Sequence, residues 1–280
     1  MGQCAVHGGA RSRRAGPIRR RARALNADLL IGAGAAFAIA LVTTPVGVSG
    51  AVFLIPVQVS VLDTPSPAVT PTNLFYNLIA TPGALARYGR ERVAGSPLTR
   101  PLVLGTLPGV VAGAVIRVTL VEGAGAFLVV VAVVLIPLGV LLAAGTPPER
   151  EPGSQPSPRA LIALGLAVGT VGGIYGIGGG SIIGPILVAA GISIYEVAPA
   201  ALAATFLTSI AGVGAFAVLS LAAAGAVAPD WTLGVAIGVG GLAGGWCGAA
   251  LQPRLAEALL RRGLGLIALA LGVRYAVLAI

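Results

Sequence analysis

Two clusters of glycine and serine interrupt apolar segments, one in each half of the chain. The clusters are Gly47-Val-Ser-Gly50 and Gly176-Ile-Gly-Gly-Gly-Ser181, and a proline follows each of them, Pro56 and Pro185. The glycines and prolines of the two copies align at one constant offset. Because glycine weakens a helix interior, each cluster predicts a broken helix.

A broken helix leaves backbone N–H and C=O groups without partners. In a bilayer such groups must be buried in protein or line a polar cavity. Where the helix restarts, free N–H groups and the positive end of the helix dipole favour an anion. Paired broken helices in two corresponding halves indicate a transporter's binding site. The residues predicted to contact substrate at the breaks are Gly47, Ser49, Gly50, Gly176, Gly178, Gly179, Gly180 and Ser181.

Polar side chains recur at helical spacing on the apolar segment that follows each break. Their alternative role is a hydrogen bond between helices or to the carbonyl one turn earlier. Their matching places in both halves favour a shared cavity. These additional substrate-contact candidates are Thr72, Asn73, Asn77, Thr205, Thr208 and Ser209.

Composition sets the fold class. Hydrophobic residues make up 56% of the 280 residues and charged residues 10%, with a mean hydropathy of +0.96. No water-soluble surface can be built from this composition. We therefore predict an all-α integral membrane protein with about eight to ten transmembrane segments in two homologous, inverted repeats.

The chain divides into four parts. Residues 1–25 form a basic tail, predicted to be disordered and cytoplasmic; residues 26–144 and 160–280 form the two transmembrane repeats, and residues 145–159 are a polar, proline-rich linker. A further internal match aligns glycines spaced four apart, which let helix backbones pack closely. These glycines are Gly105, Gly109 and Gly113 in the first repeat and Gly240, Gly244 and Gly248 in the second.

The number of crossings stays open. Counting each broken pair as two segments gives ten and inverts the second repeat. That scheme allows the loops Arg87–Arg100 and Arg254–Arg262 to be cytoplasmic, with Asp230 outside, but it also puts the arginine tail outside. Counting the first pair as a single crossing gives nine segments and keeps the tail inside.

Two carboxylates are candidates for proton coupling. Asp63 and Glu196 occupy roughly matching turns between a broken pair and the next span. The alternative is that each stabilises a helix N-terminus through the dipole. Of the two, Glu196 is the stronger candidate.

Enzyme chemistry lacks its usual residues. His7, the sole histidine, lies in the tail, and no span carries a paired carboxylate motif. The glycine cluster lacks the lysine of a phosphate-binding loop. We expect no enzymatic activity, no cofactor, no metal and no nucleic-acid partner.

The second-half motif resembles the TauE/SafE family of membrane permeases, the sulfite exporters. The resemblance rests on Gly176-Ile-Gly-Gly-Gly-Ser-Ile-Ile-Gly-Pro185 and Ala200-Ala-Leu-Ala-Ala-Thr-Phe-Leu-Thr-Ser209, and it covers about residues 30–280. It implies transport of a small anion, sulfite or an organosulfur compound, across the bacterial inner membrane. The first copy departs from the family pattern at Ser49, Ala51 and Pro71-Thr-Asn, which leaves the substrate open.

Two function classes remain. One is a secondary carrier for a small oxyanion or organosulfonate, with a channel as its variant. The other is a non-transporting scaffold or accessory subunit, which has no need of two matched helix breaks. The expected partners are a small anion, the lipid bilayer and, as candidates, protons and a second copy of the chain.

Overall fold

The computed structural model describes residues 17–62, 64–120, 125–144, 156–222 and 228–279. All regular structure in these ranges is helical, which confirms the all-α prediction. The first half comprises α1 (Pro17–Thr43), α2 (Ala51–Ser60), α3 (Ser66–Tyr88), α4 (Arg90–Ala94), α5 (Thr99–Thr119) and α6 (Gly125–Ala143). The second half comprises α7 (Pro158–Tyr175), α8 (Gly180–Ala189), α9 (Ile194–Ala222), α10 (Trp231–Leu251) and α11 (Glu257–Ala279).

Helices long and apolar enough to cross a membrane confirm the integral membrane class. There are five such segments among the described residues: Asn26–Val46, Thr99–Thr119, Pro158–Tyr175, Ile194–Leu221 and Trp231–Arg254. The long helices α3 and α11 carry more polar or charged residues; α3 packs on α10 and α9, and α11 packs on α6.

Both helix breaks occur where the glycine clusters predict them. α1 runs into a short 3₁₀ turn at Thr44–Val46 that ends at Gly47, and α7 ends at Gly176. Gly47 and Gly176 adopt left-handed backbone conformations, with φ of 75° and 71°. Glycine adopts this conformation without the steric cost that a Cβ brings, so it ends each helix at this point.

The first broken pair is a hairpin. A Cβ placed on Gly50 would lie 3.1 Å from Ile39, and one placed on Gly32 would lie 3.3 Å from Leu62. α2 therefore returns along α1 toward the end at which α1 begins. The two helices count as two segments, as in the ten-segment scheme.

Close-packed glycines join helices of opposite halves. Along α5 and α7, and along α10 and α1, a glycine meets a backbone carbonyl of its neighbour every four residues, in the order expected for parallel helices. These contacts confirm the packing role of the repeated glycines. The pairs are Gly105–Ile162, Gly109–Leu166 and Gly113–Thr170, and Gly240–Ala33, Gly244–Phe37 and Gly248–Leu41.

The remaining large contacts also join a helix of one half to a helix of the other. α10 packs on α3 as well as α1, α5 packs on α9 as well as α7, α3 packs on α9, and α6 packs on α11. Gly234, Gly238 and Gly83 show that α3 and α10 are parallel. Since only residues 223–230 connect α9 to α10, α9 is antiparallel to both. Corresponding helices thus point in opposite directions, the arrangement of an inverted repeat.

Helix directions also place the tail. α1 is parallel to α10, so it begins at the end of the bundle opposite the loops Arg87–Arg100 and Arg254–Arg262. The tail and these two loops therefore cannot both be cytoplasmic. Residues 17–25 belong to α1 rather than to a disordered tail, since arginine and alanine are good helix formers. Residues 1–16 and the linker residues 145–155 lie outside the described residues.

Candidate functional site

Side chains hold the first break from within its own half. Ser49 Oγ donates a hydrogen bond to Asn77 Oδ1 on α3. The same Oγ accepts the N–H of Ala51, at 3.2 Å, where α2 begins. Ser49 and Asn77, both predicted from the sequence, are thus brought together, and both are buried.

Two side chains that the sequence analysis missed donate hydrogen bonds to carbonyls of the first break. Tyr88 Oη donates to Thr44 O at 3.0 Å, and Gln252 Nε2 donates to Pro45 O at 2.7 Å. Gln252 is fully buried and comes from the other half, 207 residues away. No local pattern connects residues so far apart, so the sequence held no signal for this bond.

Backbone atoms dominate the second break. A Cβ on Gly176 would lie 2.9 Å from Thr70 Cα, and Gly178 has a φ of 66°. A Cβ on Gly178 would lie 2.6 Å from Thr205 Cγ2, while the N–H of Gly180 donates to Thr205 Oγ1 at 3.0 Å. The chain therefore passes so close to α3 and α9 that side chains are excluded.

Asn77 lies between the two breaks. Its Oδ1 accepts from Ser49, and its Nδ2 is 3.2 Å from where a Cβ on Gly178 would be. Nδ2 is buried and has no partner within the described part of the chain. A buried donor without an acceptor is costly, so this amide is suited to an anion placed between the breaks.

A second amide attaches α2 to α3. Asn73 Nδ2 donates to Ala51 O at 3.2 Å, and Asn73 Oδ1 accepts from Gln58 Nε2 at 2.5 Å. Gln58 is fully buried and was not predicted. Asn73 therefore fixes the start of α2 and has both amide groups occupied.

Three predicted polar residues make bonds away from the breaks or within their own helix. Thr72 Oγ1 accepts the N–H of Asp230 at 2.8 Å, where α10 begins. Thr208 Oγ1 donates to Ala204 O at 2.6 Å, one turn earlier. Ser181 Oγ likewise donates to Ile177 O at 3.0 Å. Ser209 Oγ is buried without a partner among the described residues.

Of the two coupling candidates, one lies in the described structure. Glu196 is exposed in the first turn of α9, a position that the helix dipole favours for a carboxylate. Asp63 lies outside the described residues. Within the described ranges no three His, Cys, Asp or Glu side chains are close enough together to hold a metal ion.

A polar cavity borders the first break. Its volume is about 20 Å³, enough for a water molecule and too small for an oxyanion such as sulfite, with four heavy atoms. In this conformation the cavity has no room for such an anion. The polar side chains that line it are Thr44, Ser49, Tyr76, Asn77 and Thr81.

Thr106 of α5 borders the second break. A Cβ on Gly179 would lie 2.8 Å from Thr106 Cγ2, and Thr106 is fully buried. Its hydroxyl donates to Leu102 O within α5 at 2.8 Å. The sequence analysis missed this residue because its neighbours on α5 suggested only glycine packing.

Fold and site together define the class: a multi-pass helical membrane protein with two facing helix breaks, as in transporters. The model of the sulfite exporter TauE/SafE family matches residues 32–275. The chain belongs to this family, as the motif around Gly176 predicts. Comparison with curated proteins and with solved structures gave no match.

Proposed function

We propose that this protein is a secondary transporter that carries a small anion, sulfite or an organosulfur compound such as a sulfonate, across the bacterial inner membrane. The two repeats alternate in giving access to a site between the breaks. Membership of a transporter family supports this reading, and it argues against an enzyme. The observation that carries the proposal is the buried Nδ2 of Asn77, which lies between the two breaks and has no partner among the described residues.

The groups around Asn77 suit an anion. N–H groups in the first turn of a helix have no acceptor within that helix, and α2 and α8 both begin beside this amide. The first N–H of each helix is bound by a side chain, that of Ala51 by Ser49 Oγ and that of Gly180 by Thr205 Oγ1. No carboxylate among the described residues lies at the breaks. Donors without a formal positive charge bind an anion and also let it leave, as transport requires.

Anion flux into proteoliposomes tests the proposal. We expect saturable flux of sulfite, sulfoacetate or taurine by the full-length chain. Gly179→Leu places a side chain against Thr106 and fills the gap at the second break, so it should abolish flux. Gly214→Leu is the matched control, because nothing lies within 4 Å of a Cβ there.

The outcomes separate the two parts of the proposal. Flux that survives Gly179→Leu would leave a transporter whose site lies elsewhere. No flux of any anion by the wild type would contradict transport and favour a scaffold.

Proton coupling is proposed for Glu196, with Asp63 as the second candidate. An imposed pH gradient should drive anion accumulation by the wild type. Glu196→Gln should abolish accumulation while leaving downhill flux intact. Accumulation unchanged in both Glu196→Gln and Asp63→Asn would contradict coupling through these carboxylates.

A further inference from the structure

A cavity lies at the start of α11, at the end of the bundle that carries the two arginine-rich loops. Its volume is about 190 Å³, against about 20 Å³ for the cavity at the first break. About 10–15 Å³ is enough for one water molecule, so this space has room for a group the size of phosphate. The side chains that line it are Glu257, Ala258, Arg261 and Arg262.

Helical spacing gathers the lining residues on one face of α11. Arg261 and Arg262 lie three and four residues after Ala258, so both are neighbours of this alanine on the helix surface. The side chain of Ala258 is a single methyl group and leaves the space beside the two arginines open. Ala258 and Arg262 are exposed, so the cavity can be reached from outside the bundle.

Arg261 is held by a carboxylate and keeps one donor without an acceptor. Its Nη2 lies 3.3 Å from Glu257 Oε1. The same Oε1 accepts the N–H of Ile194 at 3.1 Å, where α9 begins. Arg261 Nε is buried and has no hydrogen-bond partner in the part of the chain that the structure describes. Such a donor is costly to bury, and it belongs to a side chain that lines the cavity.

Arg262 supplies a charge that no described residue neutralises. It makes no ion pair and no hydrogen bond with any residue in the described ranges. Since Glu257 is the single carboxylate of the lining and Arg261 is the second guanidinium, the cavity keeps one net positive charge. Guanidinium groups bind phosphate oxygens through their forked N–H donors. The lining therefore suits a phosphate group.

The surface beside Arg262 is apolar and exposed. Leu259 lies three residues before this arginine and Leu266 four residues after it, so all three share one side of α11, and both leucines are exposed. Val273, seven residues further, is exposed on the same side. In a membrane protein an apolar stripe of this kind faces lipid chains, and an arginine at its end extends to the headgroups. A phosphate bound here would thus belong to a lipid.

We propose that the cavity at the start of α11 binds the phosphate group of an anionic phospholipid such as phosphatidylglycerol. Arg261 donates its Nε–H to the phosphate, and Arg262 pairs with the negative charge. Glu257 orients Arg261 through their ion pair. The acyl chains lie along Leu259 and Leu266. Basic pockets at the ends of membrane helices bind lipid headgroups in this way. The inference does not depend on the proposed transport function.

Binding of a fluorescent phosphatidylglycerol to the detergent-purified chain tests the site. We expect saturable binding by the wild type and a Kd about tenfold higher for Arg262→Gln, which removes the charge that faces the phosphate. Arg90→Gln is the matched control, since Arg90 is exposed at the same end of the bundle and does not line the cavity. Its Kd should stay within about twofold of the wild type. Equal weakening by both variants, or no saturable binding by the wild type, would overturn the proposal.

A second variant tests the open space beside the arginines. Ala258→Leu keeps both charges and fills the place of the headgroup, so it should also raise Kd about tenfold. Because Ala258 is exposed on a helix and leucine is a good helix former, thermal unfolding should show that this variant folds like the wild type. An unchanged Kd in a folded Ala258→Leu would contradict binding in this cavity.

Competition identifies the source of the phosphate. Phosphatidylcholine carries the same phosphate with a compensating positive charge, so it should displace the fluorescent lipid about tenfold less well than phosphatidylglycerol. Excess inorganic phosphate should not displace it, because it lacks acyl chains that contact Leu259 and Leu266. Displacement by inorganic phosphate would assign the cavity to a free anion and overturn the lipid source. Equal competition by the two lipids would overturn the role of the charge.

Discussion

The two helix breaks have the same backbone outline and are held by different means. Each ends a helix at a left-handed glycine, Gly47 or Gly176, and each restarts a short helix within a few residues. The first break is held by side chains, among them Ser49 and Gln252. The second is held mainly by backbone atoms that lie directly against neighbouring helices, with one side-chain bond, from the N–H of Gly180 to Thr205 Oγ1.

Aligned positions show how the two copies of the motif are held in different ways. Ser49 corresponds to Gly178, and Ala51 to Gly180. At Ser49 the side chain bonds to Asn77, whereas Gly178 leaves room for Thr205 and for the amide of that same Asn77. We infer that side-chain bonds fix the first break in place. At the second break the backbone itself lies close to the neighbouring helices.

The comparison predicts the largest effect at Gly180. Gly180→Ala introduces the residue found at the aligned first-half position, Ala51, but its Cβ would overlap Ala201 O and Thr205 Oγ1. We expect a loss of about 3 kcal/mol in the free energy of unfolding, measured by SDS-induced unfolding. Gly214→Ala is the control and should cost nothing. Wild-type stability of Gly180→Ala would show that the two breaks are interchangeable.

Gly178→Ser should come next. It transfers Ser49 to the second break, where the residue must adopt a φ of 66° and approach Thr205. A left-handed conformation and a close contact should together cost about 2 kcal/mol, measured in the same unfolding assay. A smaller loss than in Ser49→Gly would contradict the assignment of the second break to backbone packing.

Removal of the carbonyl partners at the first break should have an intermediate effect. Gln252→Leu leaves Pro45 O buried without its donor, at a cost of about 1.5 kcal/mol. Tyr88→Phe should cost less, because Thr44 O also accepts the N–H of Gly47 at 2.9 Å. Thermal unfolding in detergent measures both. The opposite order would show that Gln252 is not the main partner of this break.

The smallest effect separates two serines of one motif. Ser49→Ala removes a bond to α3 and should cost about 1 kcal/mol. Ser181→Ala removes a bond within a single turn and should cost less. Thr72→Val should likewise have a smaller effect than Ser49→Ala, measured in the flux assay. Initial rates of sulfite flux give the functional measure: Ser49→Ala should lower them and Ser181→Ala should not. Equal losses would place both serines in the same role.

Local chemistry explains which features could be predicted from the sequence. Hydropathy gave the helical membrane class, and glycine with proline gave both breaks, since these residues act on the backbone of their own turn. The repeated Gly105 and Gly240 sets gave the close helix packing for the same reason. The inverted arrangement of the two halves followed from the duplication and an odd number of segments in each half.

Which polar groups meet depends on how distant helices pack against one another. Ser49 and Ser181 belong to the same motif, yet the first bonds to another helix and the second to its own turn. Gln252 and Tyr88 were missed because the carbonyls to which they donate lie far away in sequence. A hydrogen bond needs two groups within about 3 Å, and in this chain the packing of opposite halves sets those distances.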